Sequence, residues 1–161
     1  MPNTISRVFV VDDDPFFRGL VEYAVRRFGC ADVQTFEDGT ACIEALTDEP
    51  NVIFLDQMMG SVSGTDALQA IKRFNPGIYV VLVSGQEQVA VAVDALKFGA
   101  FDYVVKDEHL AERLTTVLHK IGATQALLAR RRAVPPPRLL PLFSLLPNLL
   151  LLLGIKFFHN R

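Results

Sequence analysis

Apolar runs of strand-like composition alternate with segments of helical periodicity along most of the chain. Valine, isoleucine and aromatic residues dominate the runs, a composition typical of strands buried on both faces. Short connections rich in glycine, proline and aspartate separate the segments. The alternation predicts a parallel α/β sheet, doubly wound with helices on both faces. Strands are predicted at 5–11, 31–36, 52–55, 78–83 and 101–105, and helices at 15–28, 39–46, 65–74, 88–98 and from 107 to at least 121.

The start of the first helix carries a clear capping signal. Asp14 precedes Pro15, and aspartate before a proline is typical of the N-cap and first position of a helix. Apolar residues then recur at four-residue spacing and predict one buried stripe. The predicted stripe consists of Phe16, Leu20, Ala24 and Phe28.

A polar residue directly follows each of the five predicted strands, and four of these strand ends carry candidate site residues. The carboxyl ends of parallel strands meet at one edge of a doubly wound sheet, where ligands bind. Residues far apart in the sequence are therefore expected to share one crevice. They are Asp12 and Asp13 after the first strand, Asp56 after the third, Ser84 after the fourth and Lys106 after the fifth.

The aspartates after the first strand indicate a metal site. Carboxylates about 4 to 7 Å apart repel by roughly 1 to 4 kcal/mol per pair near a protein surface. Asp14 has a use as the helix cap, but Asp12 and Asp13 require a cation. Two acids at a strand end suit a hard, oxygen-coordinated ion such as Mg²⁺.

Asp56 emerges from a dry strand into the same crevice and can act as a nucleophile toward phosphorus. Bringing a dianionic phosphoryl group to an acidic cluster requires a metal and a fixed cation. Asp12 and Asp13 would hold the metal, and Lys106 would be the cation. The Ser84 hydroxyl could donate a hydrogen bond to a phosphoryl oxygen.

These residues resemble the receiver domains of two-component response regulators over about residues 5–121. VVDDDP resembles the acidic-pocket motif of that family, LDQMM the phosphoacceptor motif, VLVSG the switch-hydroxyl motif and GAFDYVVK the lysine motif. The resemblance implies a flavodoxin-like, five-stranded parallel sheet with strand order 2-1-3-4-5. It also implies a phosphorylation switch that assists its own phosphoryl transfer and hydrolysis, rather than an enzyme in the usual sense.

The same resemblance implies specific roles. The phosphoryl group would come from a histidine kinase or a phosphotransfer protein, and the switch would act on an unidentified downstream protein. Mg²⁺ would be the cofactor. Asp56 would be the phosphoacceptor and also a metal ligand, together with Asp12, Asp13 and the backbone carbonyl of Met58. Ser84 and Tyr103 would be the two residues that move on phosphorylation. Lys106 would be the phosphate-binding cation.

Two positions depart from the family pattern. Gly60 replaces a proline that is usual shortly after the phosphoacceptor, and Asp107 replaces the proline, commonly in a cis bond, that follows the lysine. A cis bond before a residue other than proline costs about 2.5 to 4 kcal/mol, so a trans bond is expected before Asp107. The angle at which Lys106 reaches the site, and the effect of a negative charge beside it, then become questions for the structure.

Charge and composition divide the chain of 161 residues. Residues 1–112 hold all 18 acids against 8 lysines and arginines, and residues 113–161 hold 8 basic residues and no acid. The main domain lacks a strongly basic face, so no direct contact with nucleic acid is expected. Cys30 and Cys42 are widely spaced, which favours reduced thiols in a cytoplasmic chain. We predict a receiver domain over 1–122, a basic, proline-rich linker over 123–138 and a leucine-rich tail over 139–161.

The tail leaves four interpretations open. Residues 139–155 form 17 positions without a charge, and ten of them are leucines. As a helix they would span about 25 Å, short of a bilayer core of about 30 Å. Segment 139–158 could attach the chain to the inner face of the membrane, bind a second copy or another partner, be disordered, or arise from an altered reading frame.

The last predicted helix poses a related choice. Its apolar residues follow alternating four- and three-residue steps, with Thr124 as a gap. The helix could end at Gly122 and pack on its own sheet, or it could extend and form a homodimer. The stepped residues are Leu110, Leu114, Val117, Ile121 and Leu128.

The predicted function is a phosphorylation-controlled switch with no recognisable DNA-binding output domain. Two alternatives remain. A small aspartyl-phosphate phosphatase would use Asp12 as nucleophile in the pair Asp12-x-Asp14, although Phe16 stands where that motif has threonine or valine. A vestigial receiver would act only as a protein-binding module.

Overall fold

The computed structural model of the chain describes residues 5–60, 62–85 and 89–133. Its centre is a five-stranded parallel sheet with the order β2-β1-β3-β4-β5, which confirms the predicted flavodoxin-like topology. Each strand lies within two residues of its predicted position. The strands are β1 Arg7–Val11, β2 Asp32–Phe36, β3 Val52–Asp56, β4 Tyr79–Ser84 and β5 Asp102–Val105.

Five α-helices connect or follow these strands. The predicted second helix is shorter than expected, because its C-terminal part forms a 3₁₀ turn at Ala45–Asp48. The helices are α1 Pro15–Arg27, α2 Gly39–Glu44, α3 Gly64–Phe74, α4 Val89–Lys97 and α5 Leu110–Ala133.

The sheet buries a separate apolar cluster on each face. In β1, Val8 and Val10 face the cluster that contains α1 and α5, whereas Phe9 and Val11 face the cluster that contains α2, α3 and α4. All residues of β3 are buried, and burying a large aliphatic side chain contributes about 1.5 to 3 kcal/mol. The central strands are therefore held firmly, and their ends provide rigid positions for polar side chains.

The first helix begins as predicted, and most of its predicted stripe packs on the core. Asp14 is its N-cap, accepts a hydrogen bond from the Phe16 amide and precedes Pro15 at the first turn. Ala24 is buried as predicted, and Leu20 and Phe28 pack against the core, but Phe16 is 69% exposed. Steps of four residues drift by about 40° each on a helix of 3.6 residues per turn, so the predicted stripe leaves the buried face at its first member.

The last helix runs through Gly122 to Ala133, so the expectation that it ends at Gly122 is wrong. A glycine inside a helix costs only about 1 kcal/mol relative to alanine, and good helix formers follow it here. Residues 123–133, assigned to the linker, are helical. The rest of the predicted linker and the whole tail, 134–161, lie outside the described residues. The described residues up to Leu127 form one compact unit.

Among the described residues, no helix combines the length and the apolar composition needed to cross a membrane.

Candidate functional site

Two buried aspartates end neighbouring strands. Asp12 directly follows β1 and Asp56 ends β3, and the two strands pair in parallel. The preceding residues are completely apolar, so both carboxylates emerge at the edge of a dry sheet, where they are 2% and 3% exposed. Asp13 lies at the same edge but is exposed. One carboxylate oxygen from each of these three residues lies within 4.8 Å of the others.

Lys106 joins both buried carboxylates. Its ammonium lies 2.7 Å from Asp12 Oδ2 and 2.8 Å from Asp56 Oδ1, and its side chain is 8% exposed. The position is fixed by the backbone, since the Lys106 amide donates to the Ser84 carbonyl at 2.8 Å. The structure thus brings together the residues that the strand ends predicted.

Burial and charge act against each other in this cluster. Burial raises the pKa of the Asp12 carboxyl above its ordinary value, although the hydrogen bond from Lys106 opposes the change. Burial also lowers the pKa of the Lys106 ammonium, but Asp12 and Asp56 outweigh it, and the net pKa is raised. Lys106 therefore remains a cation at neutral pH.

Backbone amides fix the other oxygen of each buried carboxylate. Asp12 Oδ1 accepts from the Asp14 amide at 3.0 Å, and Asp56 Oδ2 accepts from the Met58 amide at 3.0 Å. Each carboxylate is consequently held by a local amide on one side and by Lys106 on the other. This leaves little rotational freedom, which suits a site that must present a defined oxygen to a ligand.

Arg18 holds the backbone of the loop that carries Asp12 and Asp13, a role that was not predicted from the sequence. Its guanidinium donates to the Asp12 carbonyl oxygen at 2.6 Å and pairs with Glu37 at 3.3 Å. Arg18 lies one helical turn after the Asp14 cap, so its spacing from the loop was the only available signal. The arginine ties the loop after β1 to the loop after β2.

Gly64 packs directly against the backbone at the end of β3. A Cβ atom at this position would lie 2.3 Å from the Asp56 carbonyl oxygen and 2.7 Å from the Gln57 Cα. The Gly64 amide donates to the Gln57 carbonyl at 3.0 Å, and the Gln57 side chain bonds to Thr65 at 3.0 Å. Only glycine allows α3 to begin so close to Asp56, and no sequence pattern pointed to this contact.

The remaining predicted site residues lie on or beside the same strands. Ser84 is fully buried at the end of β4, one residue beyond the register partner of Asp56. Tyr103 lies on β5 and packs, partly buried, against the cluster on the α2–α3–α4 face. Met58 places its side chain in solvent at 62% exposure while its amide holds Asp56. The predicted roles of the Met58 carbonyl, Ser84 and Tyr103 stay predictions.

Asp107 leaves Lys106 free to reach the carboxylates. The peptide bond between them is trans, as expected. The Asp107 carboxylate pairs with Arg113 at 2.6 Å and accepts from the His109 amide at 2.9 Å. Its charge is therefore neutralised at the start of α5, and Lys106 still reaches both carboxylates although no proline follows it.

An aromatic ring completes the surroundings of Lys106. The ammonium lies over the ring of Phe17, 4.6 Å from the ring centroid. The four-residue spacing predicted Phe16 as the buried ring and missed its neighbour. Helical periodicity counted from the buried Val21 and Ala24 would have placed Phe17 inward.

The donor set fits a divalent metal ion. The three clustered groups are carboxylates, which are hard oxygen donors of the kind that Mg²⁺ prefers. They carry more negative charge than Lys106 alone can balance. The acidic pocket formed by Asp12, Asp13 and Asp56 could therefore bind a metal.

A family model described as the response regulator receiver domain matches residues 8–118. The chain belongs to this family. It is thus the receiver domain of a two-component response regulator over that range, as the motifs at the strand ends predicted.

Individual relatives agree with this assignment. The chain is 35% identical over 121 residues to the probable transcriptional regulatory protein TcrX of Mycobacterium tuberculosis, an alignment that covers 73% of this chain and 51% of TcrX. It is 27% identical to the chemotaxis protein CheY of Thermotoga maritima, covering 73% of this chain and 98% of CheY. The chain spans about half or less of the length of most of the curated relatives it matches.

Solved structures show the same fold. The receiver domain of NtrX from Brucella abortus is 31% identical, with a TM-score of 0.67, and the match covers 73% of this chain and 98% of that domain. A receiver domain from Clostridium thermocellum is 25% identical with a TM-score of 0.69, covering 76% of this chain and 98% of that one.

Proposed function

We propose that Asp56 accepts a phosphoryl group from a histidine kinase or a phosphotransfer protein, and that this modification switches binding to a downstream protein. The observation that carries the proposal is the position of Asp56, a buried carboxylate held by Lys106 and clustered with Asp12 and Asp13. An isolated surface aspartate would have neither the cation nor the additional acids.

The transfer requires one bond to form and one to break. A carboxylate oxygen of Asp56 attacks phosphorus, the bond between phosphorus and the donor histidine nitrogen breaks, and the nitrogen keeps the electron pair. Lys106 offers its ammonium to a phosphoryl oxygen. The Met58 amide, which already holds Asp56, orients the carboxylate for attack.

Asp12, Asp13, Asp56 and the backbone carbonyl of Met58 would hold Mg²⁺. When bound, the ion supplies the positive charge that allows a phosphoryl group to approach three carboxylates. Asp12 is oriented for this task by Lys106 and the Asp14 amide.

The switch would start at the end of β4. The Ser84 hydroxyl would bond a phosphoryl oxygen, Tyr103 would change position with it, and the surface formed by β4 and α4 would change its affinity for a partner. Ser84 is buried beside the end of β3, and Tyr103 lies on the adjacent strand, so both are within the elements that such a change must involve.

Phosphorylation by small donors tests the proposal without a cognate kinase. The chain would be incubated with Mg²⁺ and acetyl phosphate, or with phosphoramidate, whose phosphorus–nitrogen bond resembles that of phosphohistidine. Intact mass would report the adduct. We expect one adduct on the wild type, none on Asp56→Asn and little on Asp12→Asn or in the presence of EDTA.

Asp94→Asn is a matched control, because this exposed residue on α4 pairs only with Lys97 among the contacts described. It should be labelled like the wild type. Label lost only on changing Asp12 would favour the phosphatase alternative. No label in any version would favour the vestigial binding module.

A further inference from the structure

The Lys106 ammonium is held on several sides. Two contacts are ion pairs with Asp12 and Asp56, and the face of the Phe17 ring covers another side at 4.6 Å. The face of a benzene ring carries partial negative charge and attracts a cation within about 6 Å of its centroid. Because the side chain of Lys106 is only 8% exposed, water screens this attraction weakly.

The ring has a position of its own that does not depend on Lys106. Phe17 packs against the apolar cluster between the sheet, α1 and α5, and meets the edge of Phe16 at 5.3 Å. It lies in the first turn of α1, whose start is fixed by the Asp14 cap and Pro15. A ring anchored in this way can limit the positions that the flexible side chain of Lys106 adopts.

A fixed ring beside Lys106 matters in this chain because the backbone after the lysine is less restricted than in the family pattern. The family pattern places a proline after the lysine, which restricts the backbone, whereas Asp107 with a trans bond stands here. The four-carbon stem of lysine is flexible and its charge is not directional. A phosphoryl group on Asp56 would change its ion pair with Lys106, whereas the ring contact does not involve the reacting carboxylate.

We propose that Phe17 is a positioning residue for phosphoryl transfer, which keeps the Lys106 ammonium within reach of Asp56 through a cation–π contact. The proposal rests on the proposed function of Asp56. Phe17 acts through Lys106 and touches neither the phosphoryl donor nor the acceptor.

Fluorination of the ring separates the electrostatic contact from packing. Site-specific replacement of Phe17 by mono-, di- and trifluorophenylalanine lowers the partial negative charge on the ring face in steps, with little change in ring size. We expect the rate of labelling by acetyl phosphate with Mg²⁺ to fall stepwise, reaching a loss of about threefold to tenfold for the trifluoro ring, the range for a partly desolvated cation–π contact. Equal rates across the series would overturn the proposal.

Conventional variants give a second test. Phe17→Leu keeps an apolar side chain without a ring, and its labelling rate should fall by a similar factor. Phe17→Tyr keeps a ring and should be labelled at the rate of the wild type. In a Lys106→Gln background, Phe17→Leu should have no further effect on labelling. An equal loss in both backgrounds would mean that Phe17 acts by packing alone. Phe16→Leu, on the adjacent exposed ring, is the matched control and should label normally.

Two readouts need no phosphorylation and separate failure of this proposal from failure of the proposed function. The methylene protons of Lys106 next to the ammonium should show an upfield ring-current displacement that Phe17→Leu removes. Chemical unfolding of wild type, Phe17→Leu, Lys106→Gln and the double variant should also show coupling between the two positions. If no version took label, the proposed function would fail, and these readouts would still decide whether the ring holds the lysine. Absence of both displacement and coupling would refute the contact.

Discussion

The 2.8 Å ion pair between Lys106 and Asp56 joins the ends of two strands that are not neighbours, because β4 lies between β3 and β5. The pair therefore passes the carboxyl end of β4, where Ser84 is buried. A ligand bound between Lys106 and Asp56 would therefore lie at the ends of β3 and β5, next to Ser84. This geometry gives a local charge change at Asp56 a direct route to β4 and β5.

Replacing Lys106 by methionine should destabilise the chain when no divalent ion is present. The change leaves Asp12 and Asp56 buried close together without their cation. Breaking a buried ion pair costs about 3 to 5 kcal/mol, but Asp12, whose pKa burial already raises, can take up a proton and reduce that cost. We expect a loss of about 2 to 3 kcal/mol in the free energy of unfolding, measured in urea by circular dichroism.

Added Mg²⁺ should recover part of that loss, because it restores positive charge between the carboxylates. The control is Lys120→Met, which removes an exposed pair with Asp102 and should cost less than about 1 kcal/mol. Equal stability of Lys106→Met and wild type without metal would contradict the account of the charge cluster.

Replacing Arg18 by methionine should weaken metal binding with little effect on the fold. The guanidinium holds the Asp12 carbonyl and so fixes the loop that presents Asp12 and Asp13. Loss of groups that orient metal ligands typically costs about tenfold or more in affinity. Calorimetric titration with Mg²⁺ would measure this loss. Arg26→Met, on the far end of the same helix, should bind Mg²⁺ like the wild type, and parallel losses in both variants would argue against a specific role.

The sheet and the central charge cluster were predictable for a common reason. Continuous apolar runs mark strands buried on both faces, and the polar residue that ends each run must lie at the sheet edge. Asp12, Asp56 and Lys106 belong to this class. Local sequence was sufficient to place them.

The supporting contacts depend on how elements pack and have no local signature. Gly64 is required by a close approach of α3 to β3, and Arg18 by the meeting of two loops. Phe16 and Phe17 are adjacent apolar residues, and periodicity selects Phe17 only once Val21 is known to be buried. The extension of α5 beyond Gly122 is different, because it follows from the good helix formers directly after the glycine.

Replacing Gly64 by alanine should disturb the acceptor strand itself. The new methyl group would overlap the backbone of Asp56 and Gln57, which cannot rotate away as a side chain could. Overpacking of this kind costs about 1 to 3 kcal/mol, and we expect slower labelling of Asp56 together with lower stability. Gly122→Ala is the matched control, because its Cβ meets no atom within 4 Å. Inside α5 that change should stabilise the chain by about 0.5 to 1 kcal/mol.

The stability of the chain should fall at alkaline pH through Cys42. Burial, with a smaller contribution from the charge of Asp38, raises the pKa of this thiol from 9.0 to about 12. Between these values the unfolded chain has lost the thiol proton and the folded chain has kept it, so the unfolded state binds fewer protons and unfolding becomes easier as pH rises. The expected slope is about 1.4 kcal/mol per pH unit in the free energy of unfolding.

Because other groups also titrate in this range, the measurement is the difference between wild type and Cys42→Ala. Urea unfolding from pH 7 to pH 11 under reducing conditions should show a shallower decline for the variant. The two curves should be parallel below about pH 8, where the thiol is mostly protonated in both states. The absolute stability of Cys42→Ala will be lower at every pH because the residue lies in the core, so only the slope is informative. Identical slopes above pH 9 would mean that solvent reaches the thiol in the folded chain.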